Sequence, residues 1–335
     1  MKDLSSITIT DRGAILLAPH ICVDGHDFRC RVRVVTHIHS DHLMDLEKSI
    51  ATSNLIIATP ITMDLLEILG YNIPQRKRVA LNYRTTLSLD NYRIELVYAH
   101  HIAGTAQVVV ENPNIVAAYT SDFKQPQQRT PILSGVDVLV IDATYGDPRC
   151  SREDEKAIVE RLVKLIQRLL VEKPVNIYAY YGKAQEIMLL LREYGIDTPF
   201  IASPRQWQVL KVLSKYGINV RDVYLDGTND AIEIQRSGWY IAFYHHTKFY
   251  SMRNHKLAHH ILLSGWLFNK PVRRLNENSW IVGFSDHADF EELITYVDEA
   301  RPRLLIVDGF RGGVTAYRFA SHVERSLGIR SLVKP

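Results

Sequence analysis

Val34-Val35-Thr36-His37-Ile38-His39-Ser40-Asp41-His42 closes a β-branched run and carries the pattern H-x-H-x-D-H. With 14 histidines in 335 residues, chance produces that pattern in about one such chain per thousand. Neutral imidazoles and a carboxylate are the donors of Zn²⁺ and similar ions. A period of two throws His37 and His39 to one side as the strand ends. Asp41 and His42 then fall where the chain turns, facing a neighbouring position. Four donors this close can hold two ions. A solvated histidine-rich loop is the plain alternative, and the apolar strand directly before the run counts against it.

Two metals need further ligands, and a hairpin supplies them. AQVVVE and IVAAYT flank Asn112-Pro113-Asn114, a good turn sequence. His101 precedes the first strand and Asp122 follows the second. An antiparallel hairpin brings its entry and exit to one end, so the two residues should lie side by side. Asp122 can bridge two metals through its two oxygens. His100, directly before His101, is the competing ligand. Asp142 ends VDVLVID, His287 follows WIVGF and Asp308 follows RLLIV. All three sit beyond the carboxyl ends of strands, where α/β sheets place their sites. A helix cap or turn former is the plain reading of each aspartate, and an ordinary loop residue that of the histidine.

Strand-like runs alternate with amphipathic stretches, an α/β pattern. SREDEKAIVERLVKLIQRLL reads as a helix with acids in its first turn. The length suggests about two domains, and no Pro/Gly/Ser linker separates them. No apolar run reaches the roughly 18 residues of a membrane span. The start, MKDLSSITITDRG, lacks the apolar core of a secretory signal. Cys22, Cys30 and Cys150 are few and unclustered, which argues against a disulfide scaffold and fits a reducing cytoplasm. The net charge of +3 is too small to argue for nucleic acid by itself.

H-x-H-x-D-H, His101 in HIAGTAQ and Asp122 in YTSDF resemble the metal motifs of the metallo-β-lactamase fold. DATYGDP (142–148), GKAQE (182–186), SGW (264–266), FSDHADF (284–290) and the final V-D-G resemble the β-CASP nuclease branch. The resemblance runs from about Gly13 to Leu327, with the motifs in order. It implies a metallo-β-lactamase αββα sandwich, residues 1–145 and 265–335, with an inserted β-CASP α/β domain at 146–264. Within the family, the chain is most similar to ligase-associated DNA exonucleases and to archaeal relatives labelled messenger-RNA 3′-end processing factors. It departs from RNA-processing members in one place. They carry a ligand His in the last motif, where this chain has Asp308.

The resemblance implies hydrolysis of phosphodiester bonds. His37, His39 and His101 would hold one divalent metal; Asp41 and His42, with Asp308 as an optional addition, would hold a second. Asp122 would bridge the two, and both ions would be Zn²⁺, with Mn²⁺ as substitute. Zn²⁺ lowers the pKa of water to about 7. The family gives His287 the protonation of the leaving oxygen, a task suited to a group titrating near working pH. Asp142 would orient it, and Asp24 would support the metal loop or simply shape a turn. Lys248 and Arg253 lie in FYHHTKFYSMRNHK (243–256), where aromatics, histidines and cations interleave as in a stacking groove. Arg311-Gly312-Gly313 precedes a helix, and free N–H groups there could take a terminal phosphate. The expected activity is an exonuclease on single-stranded DNA. RNA processing is the alternative. A small-molecule hydrolase and an inactive nucleic-acid-binding member are the remaining readings. The expected location is cytoplasmic.

Overall fold

A computed structural model describes residues 7–335. The chain divides into two compact units. One joins Met1–Cys150 to His287–Pro335, and the other is Ser151–Asp286.

The first unit is built on two sheets. One has six strands in chain order: Thr8–Ile9, Ile15–Ala18, Ile21–Val23, Val32–Val34, Leu55–Ala58 and Arg78–Ala80. The other has seven, in the order Ser331–Lys334, Leu304–Asp308, Val138–Ile141, Ile115–Tyr119, Ala106–Asn112, Tyr92–Tyr98, Thr86–Leu89. Side chains alternate across this second sheet, as a period of two requires. Val138, Val140, Leu304 and Ile306 pack with Ile15, Leu17, Val23 and Val34 of the six-stranded sheet. Leu139, Ile141, Leu305 and Val307 face the other way, onto helices Phe290–Ala300 and Val314–Leu327. The helix Leu46–Thr52 lies against the six-stranded sheet at Leu55–Ala58. The result is a mixed α/β unit consistent with an αββα sandwich. The hairpin forms where its turn sequence predicts it. Asn112 Oδ1 accepts from the N–H groups of Asn114 and Ile115 at 2.8 and 3.0 Å, which closes the turn locally.

The second unit has a seven-stranded sheet, ordered Val223–Leu225, Phe200–Ala202, Ile241–His245, Val175–Ala179, His259–Leu263, Ser279–Val282, Val272–Arg274. All its pairs are parallel except the last. Helix Glu155–Leu170 is capped by Asp154, which accepts from Ala157 N. Its apolar residues at 158, 159, 162, 163, 166 and 169 share one face and pack on Val175, Ile177 and Phe243.

Two expectations need correction. The second unit ends at Asp286, not at residue 264. Ser279–Val282 pairs with His259–Leu263 in parallel and with Val272–Arg274 in antiparallel, so residues 265–286 complete the second sheet. It also starts at Ser151 rather than 146, because Gly146 packs on Phe319 of the first unit. The cysteines are not all separate: Cys22 and Cys30 form a disulfide with Cα atoms 5.7 Å apart. They stand eight positions apart in the sequence. The strand Val32–Val34 pairs beside Ile21–Val23, so the loop between them must return to where it began.

Candidate metal centre

The metal loop is held by backbone before any side chain is considered. Asp24 N donates to Val34 O at 3.1 Å, and Ala106 N donates to Thr36 O at 3.2 Å. The second bond ties the start of the hairpin to the segment carrying His37. Thr120 N donates to Val140 O at 3.0 Å, so Asp122 emerges beside the end of Val138–Ile141. Ser40–His42 forms one short 3₁₀ turn, which swings His42 back toward His37; their ring centroids are 4.0 Å apart.

One carboxylate oxygen is the hub. Asp122 Oδ2 lies 3.2 Å from His42 Nε2, 3.5 Å from His37 Nε2, 3.5 Å from His101 Nε2 and 3.7 Å from His287 Nε2. His101 Nε2 and His39 Nδ1 are 3.1 Å apart. His37, His39, His101 and Asp122 offer donor atoms within 4.8 Å of one another; so do Asp24, His37 and His42, and so do Asp122, Asp142 and His287. Asp41 meets His42, Oδ2 to Nε2 at 3.4 Å, with its side chain exposed at the rim, and belongs to none of these groups. His100 is in none of these groups; its Nδ1 meets Tyr98 OH at 3.2 Å.

A second layer of groups aims the rings. Asp24 is completely buried. Its Oδ2 takes His42 Nδ1 at 2.8 Å and the Thr36 hydroxyl at 2.5 Å, while Oδ1 takes Thr36 N at 2.9 Å. The Ser121 hydroxyl donates to Thr36 Oγ1 at 2.8 Å, and His37 Nδ1 lies 3.0 Å from the same oxygen. With Thr36's own hydrogen given to Asp24, the hydrogen at His37 must sit on Nδ1. Its Nε2 lone pair then faces the hub, and the same logic applies to His42. Burial, reinforced by the imidazoles around it, holds His37 well below the usual histidine range. Burial also pulls on His42, but Asp122, Asp41 and Asp24 outweigh it and hold that ring above the range, so a metal taken at its Nε2 would displace a proton there. Asp24 and Ser121 adopt left-handed backbone, φ 47° and 57°, at a cost on the order of 1 kcal/mol each that the surrounding contacts must offset. Gly25 permits the turn after Asp24, because a Cβ there would meet Ala14 backbone at 2.2 Å.

The donors fit a divalent metal. His37 Nε2, His42 Nε2 and Asp122 Oδ1 are buried and make no hydrogen bond, a state that native structures rarely leave uncompensated. They converge on one another. Donor separations of 3.1–3.7 Å match the roughly 3.3 Å edge of a tetrahedron with bonds of about 2.05 Å. These clustered groups give the site capacity for one or two divalent ions.

His287 reaches the centre from the first turn before helix Phe290–Ala300. Asp289 caps that helix by accepting from Glu292 N at 3.0 Å, and Glu292 accepts from Asp289 N at 3.2 Å. Glu292 also takes Gln125 N at 2.9 Å, and Ala288 N donates to Phe123 O. The capping residues thus lock the segment of His287 to that of Asp122. His287 Nδ1 lies 3.5 Å from Asp142 Oδ2. Thr144 occupies Asp142 Oδ1 through its N–H and hydroxyl, at 3.2 and 2.9 Å.

Other expected site residues lie elsewhere. Asp308 is fully buried but belongs to none of the metal-capable groups. Arg311 engages both its oxygens, through N at 3.1 Å and Nη1 at 2.6 Å. A carboxylate committed to a guanidinium is not open to a metal. Nor is Arg311 open to a phosphate. It points inward, and its Nη2 donates to Asp24 O at 2.6 Å, Asp41 O at 3.0 Å and Gly13 O at 3.2 Å. Arg311 N is spent on Asp308 Oδ1 and Gly313 N on Gly309 O, so two of the three N–H groups of Arg311-Gly312-Gly313 are engaged within the turn. Lys248 and Arg253 are in the second unit, where Lys248 lies 5.4 Å over Tyr244 and Arg253 5.5 Å over Tyr250. Sequence reading missed Arg33 altogether. It is fully buried, donates to His42 O at 2.9 Å, and is pushed down to about 10 by burial. Only its place in an apolar strand hinted at this.

No family model matches the chain. An "Uncharacterized protein in lig 3′region" of Acidianus ambivalens is 40% identical over 141 residues, covering 42% of this chain and all of that protein. "Probable RNase MJ4" of Methanocaldococcus jannaschii is 23% identical over 73% of this chain and 66% of its own length. "5′ exonuclease Apollo" of Gallus gallus is 24% identical over 87% and 62%. The chain thus spans slightly less than two thirds of these two named relatives. A solved structure of a protein of unknown function from Enterococcus faecalis shares the fold with a TM-score of 0.56 at 14% identity, over 82% of this chain and 74% of that one. Fold, metal centre and relatives together define a metallo-β-lactamase/β-CASP protein of the nuclease superfamily, and the chain belongs there in the same family as the Acidianus protein.

Proposed function

We propose that the protein is a metal-dependent nuclease that hydrolyses phosphodiester bonds, acting as an exonuclease on single-stranded DNA. The observation that carries this reading is the convergence of four imidazole nitrogens on Asp122 Oδ2. His37, His39, His101 and Asp122 would hold one Zn²⁺, and Asp122, His42 and Asp41 a second, with Mn²⁺ able to substitute. When bound, the ions supply Lewis acidity toward the phosphate oxygens and an activated water.

The chain's own groups do the rest. Asp24, Thr36 and Ser121 keep the ligand rings from rotating. His287 is partly exposed, so a substrate can reach its Nε2, which delivers a proton to the leaving oxygen. Asp142, whose carboxyl is held below the usual range by His287 against the pull of burial, stabilises the protonated ring. Support for a nuclease comes from the names of the relatives, a probable RNase and a 5′ exonuclease. The preference for DNA rests on Asp308, which stands where RNA-processing members carry a ligand histidine.

The test uses 5′- and 3′-labelled single-stranded DNA and RNA with Zn²⁺ or Mn²⁺. Asp122→Ala should lose both bound metal and cleavage. His287→Ala should keep the metal and lose about 10²–10⁴-fold in rate. No cleavage of any substrate refutes the nuclease reading, and cleavage of RNA alone refutes the preference for DNA.

A further inference from the structure

The parallel sheet of the second unit contains a point where its connections part. The strand Val175–Ala179 lies between Ile241–His245 and His259–Leu263. From Val175–Ala179 the chain passes through helix Lys183–Glu193 to Phe200–Ala202 and then Val223–Leu225, all on one side. It returns to Ile241–His245, and from there crosses to His259–Leu263 on the other side. In open parallel sheets, ligands bind outside the carboxyl ends of strands where consecutive connections diverge in this way. Here those ends are the residues after Ala179 and at His245, which are paired neighbours.

Four rings with polar tips meet at that place. Tyr180 and Tyr181 stack on each other with centroids 4.1 Å apart and planes 28° from parallel, their hydroxyls 2.8 Å apart. A continuing strand would send these two side chains to opposite faces; the turn at 180–182 aligns them. His245 and His246 lie 4.4 Å apart, and Tyr180 is 5.0 and 5.3 Å from them. Tyr180, Tyr181 and His245 are half-buried and His246 is exposed. None of the four belongs to the apolar core of the unit. Burial holds His245 below the usual histidine range, and partial desolvation of the ring with the neighbouring His245 and Lys183 does the same for His246, so both are flat, neutral groups near pH 7. The local cation is Lys248, exposed and 5.4 Å over Tyr244; Lys183 is engaged with Asp286 at 3.0 Å.

We propose that this edge is a base-stacking site for single-stranded nucleic acid. One base lies against the Tyr180–Tyr181 pair, the two histidines offer hydrogen bonds to its edge, and Lys248 meets an adjoining phosphate. Aromatic faces beside a cation suit any base, because stacking is indifferent to sequence. A free dinucleotide is the wrong occupant. Its pyrophosphate needs a glycine-rich turn after the first strand, and Tyr180-Tyr181-Gly182-Lys183 holds one glycine. The choice of a polynucleotide rests on the nuclease reading, whereas the geometry of the site does not.

The test measures binding of the full chain to fluorescent phosphorothioate oligothymidylate and oligouridylate by anisotropy, with ultraviolet cross-linking to map the contact. The double variant Tyr180→Ala/Tyr181→Ala should bind about 5- to 150-fold more weakly, while Tyr180→Phe/Tyr181→Phe should bind as the parent does. Lys248→Glu should reduce the salt dependence of binding by about one phosphate contact. Cross-links should map to 180–181 or 245–246. If the alanine pair disturbs folding, His246→Ala with Lys248→Glu, both exposed, carries the test and should weaken binding at least about fivefold. Unchanged affinity with cross-links elsewhere overturns the site and leaves the nuclease reading untouched. Binding lost in the variants of a chain that cleaves nothing supports the site and removes the nuclease reading. Adenosine monophosphate binding here in the absence of oligonucleotide binding overturns the choice of a strand as occupant.

Discussion

Replacing Arg311 with Met removes a guanidinium whose side chain is 3% exposed and leaves the fully buried Asp308 carboxylate facing no cation. The ion pair is short, 2.6 Å, and the same guanidinium holds three carbonyls, of Gly13, Asp24 and Asp41. Breaking one partner of a buried pair costs about 3–5 kcal/mol, because the remaining charge has lost its compensation. That is a large fraction of the roughly 5–15 kcal/mol that holds a domain folded. The effect must depend on pH. Burial already raises the Asp308 carboxyl above the usual range, against the pull of Arg311; without Arg311 it rises further. A carboxyl raised in the folded state takes up a proton on folding, so its contribution is present at low pH and lost as pH rises through the folded value. The variant should therefore fall further behind the parent between acid and neutral pH. The assay is urea unfolding of the first unit's transition at several pH values. Asp308→Leu in the Arg311→Met background should recover much of the loss, since an apolar pair needs no charge compensation. A loss below about 1 kcal/mol at neutral pH, or one equal at all pH values, would refute the account of Arg311 as the cation that makes a buried Asp308 tolerable.

Three other outcomes follow from the contacts. Asp24→Asn replaces the acceptor of His42 Nδ1 and Thr36, and metal affinity measured by chelator competition should fall about 10- to 100-fold. An unchanged affinity would mean that the ligand rings do not need it. Tyr296→Phe leaves Leu133 N and Gln107 Oε1 without the hydroxyl that now joins them at 3.1 and 2.5 Å. Thermal or urea unfolding should report a loss of about 1–3 kcal/mol with the metal content unchanged. Reducing the Cys22–Cys30 disulfide, or Cys30→Ser, reopens a loop eight residues long and should cost roughly 2–3 kcal/mol by loop entropy. An identical melting temperature with and without reductant would contradict it.

His37, His39 and His42 could be picked out of the sequence because their grouping is local: six positions after an apolar strand leave little freedom in where the rings go, whereas Asp41 in the same run ends exposed at the rim and in none of the metal-capable groups. His101 and Asp122 were reachable by one further step, since a hairpin turn spelled out in Asn112-Pro113-Asn114 forces its two ends together. The remaining features depend on which distant segments pair, and periodicity does not encode that. WIVGF has the same apolar pattern whether it joins one sheet or the other, and only its hydrogen bonds to His259–Leu263 and Val272–Arg274 assign it to the second unit. Asp308 follows a strand like any active-site carboxylate, yet a turn of helix places Arg311 on it and closes both its oxygens. Arg33 sits in an apolar strand with its head against His42 O, a contact spanning two elements. Local spacing thus decided the donors, the hairpin and the α/β class. Tertiary packing decided the domain exit, the cysteine pair, the fate of Asp308 and the meeting of Tyr180 with His245, because each depends on segments that approach only when the sheets assemble.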